Sequence, residues 1–371
     1  MKEWKLTDES LHATGQQFVA SPMSSLSPVP NSVVDESGAP RFGTYRGELP
    51  AVQFRQLAGT YRPARWQWLA RHKRWQYSIL VTDDLLCCQA VVDGNYFANG
   101  FFYAVDLFEK RKIFSKSLIA IPGLQVHVND HPALGHLAHL QAPGVSFSTS
   151  REGYGDDGYL WKASVKPARS FLPGGISLEG QIKIGDRPPA LTVVSPVEGG
   201  IINVTQKWAA LPATGHARFG SRTYDLEKGL VGLDYSQGIL GRRTVWKWAM
   251  ALGRLSDGRS VGVNLVSGFN DDRPDSNENA LWIGDEMIPL SRATFQLDRK
   301  NPQNPWFVET RDGRLKLRFD PYYVHTEMRN LGVINSFFLQ PAGRFEGVLT
   351  LDGKEHSLIL HGVMEDQDVR W

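Results

Sequence analysis

Strand-sized apolar runs dominate this chain, broken by acidic or glycine turns and only once by a helix-sized segment. Runs at 77–82, 85–92, 112–120, 180–184, 191–194, 246–252, 260–265, 315–319, 347–351 and 356–360 have the length and residue types of strands. Asp83-Asp84, Asp257-Gly258, Asp312-Gly313 and Asp352-Gly353 supply hairpin-type turns between them. Regular strand–helix alternation is missing, which argues against Rossmann and TIM architectures. The one helix candidate lies at 63–74, where Trp66, Leu69 and Ala70 share a face at helical spacing. A mainly β fold with few short helices is expected, and 36 Gly, 21 Pro, 11 Trp, 11 Tyr and 18 Phe suit it.

The two halves echo one another. Arg74-Trp75-Gln76-Tyr77 precedes a strand, an acidic turn and a second strand; Arg243-Thr244-Val245-Trp246-Lys247-Trp248 does the same half a chain later. Aromatic residues at i and i+2 lie on one strand face, so each half presents a paired aromatic surface. Two β units at 41–200 and 201–371 fit the size of single β-barrel or β-sandwich domains. Residues 1–40, rich in Ser, Pro and Gly, read as an extended lead-in.

With 41 Lys+Arg against 39 Asp+Glu the formal charge is +2, which does not suit a generally basic nucleic-acid binder. The two cysteines, Cys87 and Cys88, are adjacent and point to opposite faces of a strand, so they make poor disulfide partners. A reducing, cytoplasmic setting is expected. No stretch approaches the roughly 20 apolar residues that span a bilayer. The Arg/Lys run from Arg62 to Arg74 with its tryptophans leaves peripheral contact with phosphates or acidic lipid open beside a plain solvated face.

Polar and aromatic residues concentrate in the second half: Asp234, Tyr235, Arg243, Trp246, Trp248, Asn264, Glu278, Asn279 and Trp306. A carboxylate among aromatic rings can orient a ligand hydroxyl or transfer a proton. Asp234 and Glu278 are therefore acid–base candidates, and Trp75 and Tyr77 join the binding candidates. Glu365, after the apolar run 358–360, and Gln340 are added as residues a strand end can place at a barrel mouth, although neither has a spacing-defined partner and exposed turn positions are the favoured reading for both. The plain alternative is a salt-bridged junction with the tryptophans as core filler. Histidines 127, 131, 136 and 139 are interrupted by Pro132 and Gly135 and match no metal motif, so neither metal nor cofactor is expected. The glycine-rich 153–158 segment lacks the Lys-Ser/Thr of a phosphate loop and reads as a plain loop.

The order of several motifs resembles the domain-of-unknown-function family 2804. They are Lys73-Arg74-Trp75-Gln76-Tyr77, Asp234-Tyr235, Arg243 with Trp246-Lys247-Trp248-Ala249, Asn264, Glu278-Asn279, Pro305-Trp306, Gly343-Arg344-Phe345-Glu346-Gly347, and the stretch from Gly362 to Glu365 with Trp371. That family is distantly similar to tandem lipocalin-like proteins, among them carotenoid hydratases and pericyclases. The resemblance implies two packed barrel-like domains and a hydrophobic ligand cavity; it transfers no catalytic residue. The expected activity is binding of a lipid or isoprenoid-like molecule in a barrel cavity, with a hydratase or isomerase as the enzymatic version. A carbohydrate-binding β protein and a structural or interaction protein without a ligand are the competing readings.

Overall fold

The computed structural model describes residues 26–371 except 152–157, 186, 187, 270, 272, 331 and 333. Most of the lead-in at 1–40 and the glycine-rich segment at 153–158 therefore lie outside the described residues. Among those described, fifteen strands between Ser27 and Ile239 form one sheet, and nine between Arg243 and Arg370 form another. The pairing divides the chain at 240–242 and not at 200. Strands Ile202–Phe219 and Gly229–Ile239 hydrogen-bond to each other, and the latter pairs with His72–Val81 in the first sheet.

Each sheet is almost wholly antiparallel and curls back over itself. In the first, the short strand Val126–Val128 packs across Leu85–Asp93; in the second, Ser260–Ser267 meets Ala293–Gln296. The turns are those the sequence dictates. Asp352 and Gly353 both take left-handed φ values, 49° and 73°, as a tight two-residue hairpin turn requires. Strands in the second sheet run much further than the apolar runs suggest. Leu315–Asn330 continues through Pro321, where a register shift between Pro321 and Tyr323 accommodates the missing backbone N–H. Only Arg65–Ala70 of the expected 63–74 helix is helical, because the chain enters strand His72–Val81 directly afterwards. Trp66 and Leu69 on that helix are exposed instead of turned to a core.

Large buried side chains occupy both barrel-like interiors. Trp161, Trp208, Phe102 and Phe147 fill the first; Trp306, Phe319 and Phe345 fill the second. The strands His72–Val81 and Arg243–Arg254 turn their other faces toward each other, and a third apolar cluster forms between the sheets. Alternation explains how one strand serves both layers: Leu80 points into the first interior while Tyr77, Ile79 and Val81 point to the second sheet. The expectation of a ligand space inside each barrel is thus corrected. Space is found between the two sheets.

Candidate functional site

The facing hairpins bring the echoed aromatics together. Trp75 and Trp246 stack with ring centroids 6.1 Å apart and planes 5° from parallel. Tyr77 meets Trp248 edge-on at 4.9 Å. Beside these contacts lies a cavity of about 180 Å³, lined mainly by apolar side chains of both sheets, including Phe97, Phe101, Phe338 and Trp371. Trp371 stacks on Phe97 and donates its indole N–H to Thr244 Oγ1.

Two polar groups interrupt this lining. The first centres on Glu365, from strand Lys354–Arg370. Trp246 Nε1 donates to its Oε1 at 2.6 Å and Gln340 Nε2 to its Oε2 at 2.7 Å. Gln340 Oε1 accepts the hydroxyls of Tyr77 at 3.1 Å and Tyr103 at 2.7 Å, which fixes the amide with its N–H toward Glu365. Burial pushes the Glu365 carboxyl up to about 7, although the two hydrogen bonds favour its charged form; the charge of nearby Asp234 adds to the rise.

The second group is an ion cluster. Lys207 Nζ lies 2.6 Å from Asp234 Oδ2 and 3.5 Å from Glu278 Oε2, and sits over the Trp248 ring. Thr205 and Ser236 hydroxyls also donate to Asp234. Burial disfavours the ammonium, but the two carboxylates outweigh it and hold Lys207 above the ordinary lysine value. Burial raises Glu278, with Lys207 opposing. Lys207 and Asp234 belong to the first sheet and Glu365 to the second, while Glu278 lies in the loop that leads into the second sheet's strand Ala280–Ile283. The site therefore exists only where the sheets meet.

Of the residues singled out from sequence, Trp75, Tyr77, Asp234, Trp246, Trp248, Glu278 and Glu365 line this cavity, and Gln340 lies directly behind Glu365. Asn264 and Asn279 support it from outside: Asn264 Oδ1 accepts Trp248 Nε1, and Asn279 Oδ1 accepts the Val266 N–H. Three residues belong elsewhere. Arg243 is half exposed and pairs with Asp368, because its position in the strand turns it away from Trp246 and the cavity. Tyr235 points into the first interior, its hydroxyl donating to Gln237 Oε1. Trp306 fills the second interior and donates to the Pro302 carbonyl.

Sequence reasoning missed Lys207, Phe97, Phe101 and Trp371. Lys207 carried no clear signal, because Asn203, Thr205 and Gln206 already make its surroundings in the chain polar. The histidines form no metal centre: His127 and His139 face each other across paired strands, and His136 Nδ1 bonds the His131 carbonyl. Among the described residues no group of three His, Cys, Asp or Glu side chains is arranged to hold a metal ion.

Solved structures with similar folds share little sequence. The AttH-assigned protein of Nitrosomonas europaea superposes with TM-score 0.50 at 13% identity, covering 80% of this chain and 92% of its own. That likeness shows a shared fold and nothing more. Kievitone hydratase of Nectria haematococca gives TM-score 0.45 at 11% identity over 92% and 98% of the two chains. CghA with Sch210972 gives 0.49 at 11% over 94% and 99%. No curated protein matches the sequence significantly. The sequence fits the family described as Domain of unknown function (DUF2804) across residues 26–371, and the chain belongs to that family.

Proposed function

We propose that the protein binds a small, largely apolar molecule of lipid or isoprenoid type between its two sheets and moves a proton on it through Glu365. One observation carries this reading: a carboxyl group at the apolar cavity, with both oxygens held by donors and an affinity for protons near neutrality. A group with such a pKa can give and regain a proton at pH 7 with little driving-force penalty. The apolar lining supplies binding and excludes water. In the isomerase form, Glu365 protonates one alkene carbon, and a neighbouring carbon loses a proton to a carboxylate of the cavity. In the hydratase form, water adds to the resulting cation instead, and the oxonium so formed loses its extra proton to the Glu365 carboxylate, which restores the acid.

A glycan platform needs open tryptophan faces, whereas Trp75 and Trp246 cover one another. The test is deuterium wash-in. The protein is incubated in heavy water with a panel of unsaturated lipids and isoprenoid alcohols, and products are read by mass spectrometry. Deuterium should enter a bound compound with the wild type and not with Glu365→Gln, while copurified or added ligand stays bound to both. Exchange that persists in the variant removes Glu365 from the chemistry. Absence of any bound compound across the panel favours a purely structural junction.

A further inference from the structure

The cavity reaches the surface at one end of the molecule, and that end is unusually greasy. Cavity-lining Ile119 is itself 66% exposed. Strand register sets its neighbours: Ala120 pairs with Ala98, Ala98 with Asp93, and Asp93 with Arg74, just after helix Arg65–Ala70. Asn95 Nδ2 ties the turn before Ala98 to that helix through the Trp68 carbonyl. Trp66 and Leu69 on the helix, Ile121 and Leu124 just beyond Ala120, and Met328 between cavity-lining Glu327 and Arg329 are all more than half exposed. Isolated exposed apolar residues are ordinary; six of them gathered at the cavity's end of the fold are not.

Charge surrounds the same end. Arg55, Arg62 and Arg65 are exposed along a groove of about 820 Å³ beside Trp68 and form no ion pair among the described residues. The nearby carboxylates are already engaged: Asp93 and Asp130 by Arg74, Glu327 by Arg329 and Asp368 by Arg243. Free guanidinium groups beside exposed Trp, Leu and Ile side chains complement a surface that offers phosphates above hydrocarbon. A purely polar partner would leave these apolar side chains uncovered, and a purely apolar one would strand the arginines.

We infer that this end docks on an anionic lipid bilayer, with Trp66, Leu69, Ile121 and Leu124 entering the headgroup boundary and Arg62 and Arg65 meeting lipid phosphates. The mouth of the cavity then faces the membrane, where an apolar ligand resides. The docking is independent of the proton chemistry assigned to Glu365, since no residue of that site takes part.

The experiment is co-sedimentation of the full chain with vesicles of phosphatidylcholine alone and with roughly 30% phosphatidylserine. Binding is expected to the anionic vesicles and to weaken as salt shortens the Debye length. Arg62→Gln and Arg65→Gln should each lower partitioning about fivefold. Trp66→Ser with Leu69→Ser should lower it about tenfold or more. These side chains are exposed, so the fold is retained. Phe108→Ser, an 83% exposed residue in the turn at the opposite end of the sheet, should change nothing. The inference is overturned if the chain ignores anionic vesicles, or if Phe108→Ser costs as much as the Trp66/Leu69 pair. It is equally overturned if these substitutions abolish self-association of the chain without altering vesicle binding.

Discussion

Replacing Glu365 by Gln should stabilise the protein at alkaline pH and do progressively less in acid. A carboxyl whose pKa rises from 4.5 unfolded to about 7 folded binds more protons in the native state between those values. Its contribution to stability is therefore greatest at low pH and is lost as pH rises from about 4.5 through 7. The full loss, at about 1.4 kcal/mol per pKa unit, comes to about 3 kcal/mol at pH 8; at pH 5 it is under about 1 kcal/mol. Glutamine abolishes the titration and keeps an oxygen for Trp246 Nε1. Its amide cannot also accept from Gln340, which costs about 1 kcal/mol at any pH. The readable quantity is thus the pH dependence of the wild-type-minus-variant difference, from urea denaturation at pH 5 and pH 8. It should shift by about 2–3 kcal/mol in favour of the variant. A difference that stays constant across that range would mean Glu365 titrates normally, and the acid–base reading of the cavity would lose its foundation.

Four further substitutions separate the parts of the molecule. Lys207→Met leaves Asp234 and Glu278 buried without their cation, and should destabilise by about 3–5 kcal/mol in denaturant titrations. Trp306→Ala should cost a similar 3–5 kcal/mol by emptying the second interior, yet leave the affinity of a cavity ligand unchanged in calorimetry. Trp75→Ala should do the reverse, weakening ligand binding first. Arg243→Ala removes a half-exposed ion pair, so chemical denaturation should register less than about 1 kcal/mol and ligand binding no change.

Strand composition and hairpin turns made the β architecture legible, and the matched Trp75 and Trp246 pointed to two units that meet. What the sequence concealed was the meeting place. His72–Val81 is buried on both faces, so hydrophobic alternation does not say whether Trp75 points into a barrel or out toward a partner sheet. Arg243, Tyr235 and Trp306 were drawn into the candidate site by chain proximity to residues that do belong there. Alternation puts Arg243 on the face opposite Thr244, which lines the cavity, and Tyr235 opposite Asp234. Lys207 and Trp371 arrive from distant strands and had no local pattern to announce them. The division at residue 200 failed for a related reason. The strand Gly229–Ile239 returns to pair with His72–Val81, and such long-range closure leaves no mark on composition.

Because Lys207 and Asp234 sit on one sheet, Glu365 on the other and Glu278 in the loop leading into it, the proposed function depends on how closely the sheets approach. Gly262 in strand Ser260–Ser267 controls that distance. A Cβ added there would lie 2.4 Å from the Ala209 Cβ and 2.8 Å from the Ala209 carbonyl carbon in the facing sheet. Its backbone is not left-handed, so alanine brings no conformational strain, and contact is the whole effect. The obstacle includes backbone, which yields only by moving a strand. Gly262→Ala should therefore overpack the junction by about 1–3 kcal/mol and part the sheets by a fraction of an ångström. Trp246 and Lys207 would then draw back from their partners across the gap. Ligand affinity should fall together with stability, whereas a substitution confined to one interior lowers stability alone. A Gly262→Ala protein as stable as the wild type, and as able to bind, would show that the sheets are not held in the close register on which the site relies.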